Sequence, residues 1–149
     1  MSKNGFKEGD FFYTVHSNLP NSHIVFHIIC EDSDMEVKPS VPVLSAIEKI
    51  FLFCQTNDIK HLIFPSFLTP YRQQRKPLNA SEIETLLKRG EAFLKALKNY
   101  LLASSTQKSS GDKELLGFER LGISFLVYDT FEGLFEAFAD SIKTIYLNK

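Results

Sequence analysis

His23 and His27 stand four residues apart, the spacing that puts two zinc ligands on one face of a helix. The segment that holds them, HIVFHIIC, is nearly continuous in Ile, Val and Phe and reads as a strand. On a strand the two rings share a face but lie about 13 Å apart, at roughly 3.3 Å per residue. No shared metal is expected, and each histidine is expected to pair inside or at the edge of a sheet. Cys30 follows His27 by three positions, which turns the two side chains to opposite faces and opposes a thiol–imidazole pair. Cys54 falls among apolar residues at helical spacing and is expected in the core. His16 and His61 sit at strand boundaries. Asp129 would be a useful acid in a cleft, yet Glu132 three positions on gives it the spacing of a helix cap. Neither G-x-G-x-x-G, G-x-x-x-x-G-K-[ST] nor G-x-S-x-G occurs, so nothing supports a dinucleotide, a P-loop nucleotide or a serine nucleophile.

Charge is more informative than any of these groupings. Residues 71–113 carry nine basic and four acidic side chains, whereas residues 1–40 carry three and six. Leading the basic stretch is TPYRQQRKPL, where Tyr71, Arg72, Arg75 and Lys76 lie between Pro70 and Pro77. Fixed cations beside an aromatic ring suit RNA phosphates or an acidic protein face. The plain alternative is a solvated loop followed by the polar face of a helix. Asn79-Ala80-Ser81 matches a glycosylation sequon, which carries weight only in a secreted chain.

The elements that position these groups alternate in type. Residues 11–16 (FFYTVH) and 23–30 read as strands joined by the turn formers Asn18, Pro20, Asn21 and Ser22. The second is apolar enough to be covered on both faces. After an acidic loop, Ser40 precedes a helix whose Val43, Leu44, Ile47, Ile50, Phe51 and Cys54 form one face. Pro42 is tolerated there because first-turn amides have no helical partner. Asn57 and Asp58 end this helix, and HLIF at 61–64 starts the third strand. Asn79 and Glu82 have capping-box spacing before a long helix lined by Ile83, Leu86, Leu87, Phe93, Leu94, Leu97, Tyr100 and Leu101. Gly90 inside it predicts close packing against the sheet. Residues 104–113 (SSTQKSSGDK) read as a mobile polar loop. A fourth strand at 123–128 precedes a last helix with an apolar stripe of Phe131, Leu134, Phe135, Phe138, Ile142, Ile145 and Tyr146. Phe135 and Phe138 are its expected core anchors.

The order β-β-α-β-α-β-α predicts a three-layer α/β/α domain. Its sheet is mixed and mostly parallel, with right-handed crossovers and an antiparallel N-terminal edge strand. A length of 149 residues suits one domain spanning 1–149. The hydrophobic fraction of 44% and fourteen Phe exclude a disordered, solvating chain. No apolar run approaches the roughly 18 residues of a membrane span. MSKNGFKEGD lacks the apolar core of a signal peptide, and two cysteines suit a reducing compartment, so a cytoplasmic protein is expected. A net charge of −1 exerts no overall pull on nucleic acid or anionic lipid. Ligands of such sheets bind outside the strand carboxyl ends. That rule marks Asp32, Ser66, Thr69, Asp129 and Thr130 as the candidate crevice. Its acidity disfavours a phosphate, and neither cofactor nor metal is expected.

Two resemblances extend this reading. The run 41–65, an apolar helix followed by IKHLIFP, resembles the crossover helix and Phe-Pro strand of macro domains. HIVFHII resembles the strand before that helix, and ISFLVYDT the last strand. The resemblance implies an ADP-ribose-type crevice, but Ser66-Phe67-Leu68-Thr69-Pro70 stands where such domains carry a glycine-bearing loop. GDFFYTVHSNL, HIVFHII, DIKHLIFPSFL and RGEAFLKALKNYL together resemble the C-terminal region of the third-subunit family of the FERRY complex. That resemblance implies membership of a eukaryotic complex coupling messenger RNA to early endosomes through a Rab GTPase, and it brings no catalytic residues. The expected function is a non-enzymatic protein-interaction or scaffold domain. ADP-ribose-like nucleotide binding or hydrolysis at the strand ends is the alternative, and RNA contact through residues 71–76 the weaker one.

Overall fold

A computed structural model describes residues 5–15, 22–30, 38–65, 79–106, 121–127 and 133–147. Seven elements follow in the expected order: β1 (Phe11–Val15), β2 (Ile24–Ile28), α1 (Val41–Thr56), β3 (His61–Pro65), α2 (Ala80–Thr106), β4 (Gly122–Leu126) and α3 (Leu134–Tyr146). The helix ends follow local chemistry. Ser40 Oγ accepts from the Val43 amide at 3.4 Å at the start of α1, with Pro42 in the first turn. At its other end Asp58 takes a left-handed conformation, φ 54°. The Asp58 amide then reaches the Gln55 carbonyl and the Ile59 amide the Cys54 carbonyl, a Schellman closure. The capping box of α2 is reciprocal: Asn79 Oδ1 accepts from the Glu82 amide at 2.9 Å, and Glu82 Oε2 from the Asn79 amide at 2.8 Å. The helix runs on through Thr106, so the first residues of the polar stretch 104–113 are helical. Residues 107–113 lie outside the described residues.

The strands form two separate pairs. β1 and β2 are antiparallel, with Tyr13 opposite Phe26, and β3 and β4 are parallel, with Ile63 opposite Ser124. Among the described residues no ladder joins the pairs, so the chain is mixed α/β but the expected single sheet is not formed. Nor is β2 sealed on both faces: all five of its residues are half-buried. β3 alternates instead, with Leu62 and Phe64 buried and His61, Ile63 and Pro65 exposed. One face of this pair meets helices while the other looks outward.

The helices gather on the buried face. Val43, Ile47, Ile50, Phe51 and Cys54 of α1 pack with Leu62, Phe64, Phe93 and Leu97. A second cluster joins Leu94 of α2 to Leu134 and Phe138 of α3. Phe125 touches both clusters, its ring 6.2 Å from Phe93 and 5.6 Å from Phe138. Gly90 is buried. The expected pair of anchors on α3 divides: Phe138 is 1% exposed and Phe135 66%. Three positions turn a helix by about 300°, and Leu134 takes the inward place beside Phe138 at i, i+4. α3 starts at Leu134 behind Gly133, which holds φ 82° and has no side chain to cap the helix. Asp129 and Glu132, the expected cap pair, fall outside the described residues.

Candidate functional site

Parallel pairing of β3 and β4 sets their carboxyl ends side by side, Pro65 opposite Leu126. The chain leaves both strands at the same end, the place where α/β sheets hold ligands. Ser66 and Thr69 follow β3, while Asp129 and Thr130 follow β4; all four lie outside the described residues. So do Asp32 after β2 and the basic Tyr71, Arg72, Arg75 and Lys76. The described framework thus brings the origins of two crevice segments together, and no ladder ties β2 to them.

The histidines are used singly. His27 Nε2 lies 3.1 Å from Thr14 Oγ1, and its ring stacks on Phe12 at 4.6 Å and 13°. His23 precedes β2 and is exposed. His61 Nε2 lies 2.8 Å from Ser124 Oγ on the outer face of the parallel pair. Among the described residues no three His, Cys, Asp or Glu side chains gather where a metal ion would fit. Burial pushes the Cys30 thiol up, outweighing the nearby Arg89 charge that lowers it; Glu8 raises it further. Cys54 is pushed up by burial alone and is wholly enclosed. A thiol held protonated is a poor nucleophile.

What reading the residues one by one overlooks is apolar surface. Phe6, Phe12, Tyr13 and Val15 are exposed around β1, and Ile63 and Leu126 on the outer face of β3–β4. FFYTV has no alternation of apolar and polar residues, so its sequence does not show that Phe12 and Val15 stay exposed while Phe11 packs against the core. Gly9 was also overlooked. It carries φ 82°, and a Cβ there would lie 2.6 Å from Pro42 Cβ and Pro42 O.

The pattern that defines Fy-3, the Ferry endosomal RAB5 effector complex subunit 3, matches residues 1–147. The chain belongs to this family. The rat, mouse and human Fy-3 proteins, each named as that subunit, are 26% identical to it over 96 residues, 63% of this chain. The chain matches 16% of the length of these curated relatives. No solved structure matches. Fy-3 membership accounts for the quoted segments of β1, β2, β3 and α2 together, whereas the macro-domain likeness finds no support in these comparisons. Among the described residues of this Fy-3 chain no helix is long and apolar enough to cross a membrane.

Proposed function

We propose that the chain is a non-enzymatic assembly domain of an endosomal RAB5 effector complex, holding protein partners rather than transforming a substrate. The observation that carries this reading is the family match across residues 1–147. The uncovered apolar side chains of β1 and the raised cysteine thiols are in keeping with contact rather than catalysis. In this reading Tyr71, Arg72, Arg75 and Lys76 present cations to an acidic partner surface, the two flanking prolines limiting the loop's conformations. The domain reaches early endosomes through its complex, and any link to messenger RNA passes through the assembly or through the same basic residues. Capture of the remaining Ferry complex subunits by the immobilised chain tests the proposal. Replacing Arg72, Arg75 and Lys76 together by Ser abolishes capture and leaves the melting temperature nearly unchanged, since exposed charges contribute little to stability. Capture unaltered by that triple variant would remove the loop from the interface, and no capture by the parent chain would sink the assembly reading.

The adjacent carboxyl ends of β3 and β4 favour one competing reading, an ADP-ribose-like ligand in the crevice of Asp32, Ser66, Thr69, Asp129 and Thr130. Calorimetry with ADP-ribose separates the two. A dissociation constant below about 10 μM, roughly −7 kcal/mol, would displace the assembly proposal.

A further inference from the structure

The β1–β2 hairpin opens on a turn that dictates which main-chain groups of β1 remain free. The Asp10 amide donates to the Lys7 carbonyl at 2.9 Å, and Gly9 holds φ 82° inside that turn. The Gly9 amide donates to the Ile29 carbonyl, and the Ile29 amide to the Asp10 carbonyl, each at 2.8 Å. Two residues therefore oppose one, a bulge with glycine in the left-handed position. In the antiparallel register Asp10 lies opposite Ile29, so the hydrogen-bonded positions of β1 are Phe12 and Thr14. The amides and carbonyls of Phe11, Tyr13 and Val15 point away from β2, and β2 is the one strand that pairs with β1 among the described residues.

Protein edges are normally blunted by charge, proline or a bulge within the strand. Phe11–Val15 reads FFYTV and contains no charge and no proline, and its bulge lies before it at Gly9 and Asp10. Its side chains are uncovered as well: Phe12 is 41%, Tyr13 50% and Val15 53% exposed. The other edge of the hairpin differs. β2 is half-buried throughout, and the Ile28 carbonyl there accepts the Cys30 thiol at 3.8 Å.

We infer that β1 pairs antiparallel with β1 of a second copy of this chain, about a two-fold axis through Tyr13. An extended backbone is the occupant that matches a row of alternating outward amides and carbonyls. The register is self-complementary: Tyr13 faces Tyr13 of the second copy, and Phe11 faces Val15. Every outward amide and carbonyl of those three residues then meets its counterpart. Phe12 comes opposite Thr14 on the other side, extending the surface where Phe12 stacks on His27 and lies 5.8 Å from Phe6. No like charges meet along the strand, and the two-fold closes the assembly at a dimer. The inference stands on the hairpin and does not depend on the endosomal reading.

Light scattering of the 149-residue chain over a concentration series tests it. The weight-average mass is expected to rise from 17.0 kDa toward twice that value. Tyr13→Lys and Tyr13→Glu each set like charges against one another on the axis and should each hold the protein monomeric. Mixing the two variants should restore the dimer, which shows that each variant is folded. Tyr13→Pro removes one outward amide while sparing the Phe12 and Thr14 bonds to β2, and should also give a monomer with the hairpin's exchange protection intact. A parent chain that stays at 17.0 kDa up to its solubility limit would overturn the inference. So would a mixture of the charged variants that fails to associate. Protection of the Tyr13 amide only on adding other complex subunits would overturn it too, assigning the edge to a partner chain.

Discussion

The antiparallel pair β1–β2 and the parallel pair β3–β4 are equal in strand length yet opposite in how the fold uses them. β1–β2 closes locally, and its inner face rests on α1 through rings such as Phe26 and Phe53, 5.5 Å apart. β3 and β4 are separated in sequence by the whole of α2, and they become neighbours only because α1, α2 and α3 bury Leu62, Phe64 and Phe125. A local hairpin is thus free to leave its edge and outer face in water. A parallel pair needs its crossover helix in place before it exists at all. The contrast places the enclosed core against the inner face of β3–β4, while the outer faces of both pairs keep exposed apolar side chains.

Four experiments would break or sharpen that contrast. The largest effect is expected where α1 meets β3. Phe51→Ala should cost about 3–5 kcal/mol in denaturant melts, and Phe12→Ala on the hairpin under about 1 kcal/mol. Equal costs would erase the division. Next comes the one place where the hairpin is tightly built. Gly9→Ala forces a side chain into Pro42 and a left-handed backbone, and should cost about 1–3 kcal/mol by thermal melting.

Tyr146 ties α3 to α2 through its hydroxyl, which donates to the Leu94 carbonyl at 2.9 Å. Burial pushes that hydroxyl up to about 12 from 10.0. The folded state therefore favours the protonated form. Its stabilising effect is whole below pH 10 and is lost as the pH rises toward 12. Tyr146→Phe should cost about 0.5–1.5 kcal/mol at neutral pH, and urea melts at increasing alkalinity should show that gap shrinking. A gap that widens would contradict the buried hydroxyl. The smallest effect belongs to Phe135, where Ala should change stability by less than about 0.5 kcal/mol. Phe138→Ala, one turn of α3 away, should match Phe51→Ala.

Much of this framework was legible in single residues. Ser40 with Pro42 at the start of α1, and Asn79 with Glu82 at the start of α2, act through neighbours three residues along the chain. The hairpin was legible as well, because turn formers separate two β-rich runs. The candidate site was legible only as composition, a basic cluster and three acidic or polar segments, and those residues lie outside the described structure. Phe135 was misread because a stripe of apolar residues on a helix is wider than the contact it makes. Which edge of the stripe is buried depends on where Leu94 and Phe125 stand, not on α3 itself.

Sequence by itself determined the order and type of the seven elements, the starts of α1 and α2 and the pairing sense of the hairpin. Each of these is an interaction between residues close along the chain, so neighbouring residue types suffice to specify it. Tertiary structure alone decided that the described strands form two pairs rather than one sheet, that Gly9 must lack a side chain because Pro42 of α1 presses against it, and that β1 has β2 as its one strand partner among the described residues. Those outcomes depend on distances between residues remote in the chain. Such distances are set by how side-chain volumes fill the core, and residue type at any one position does not contain them.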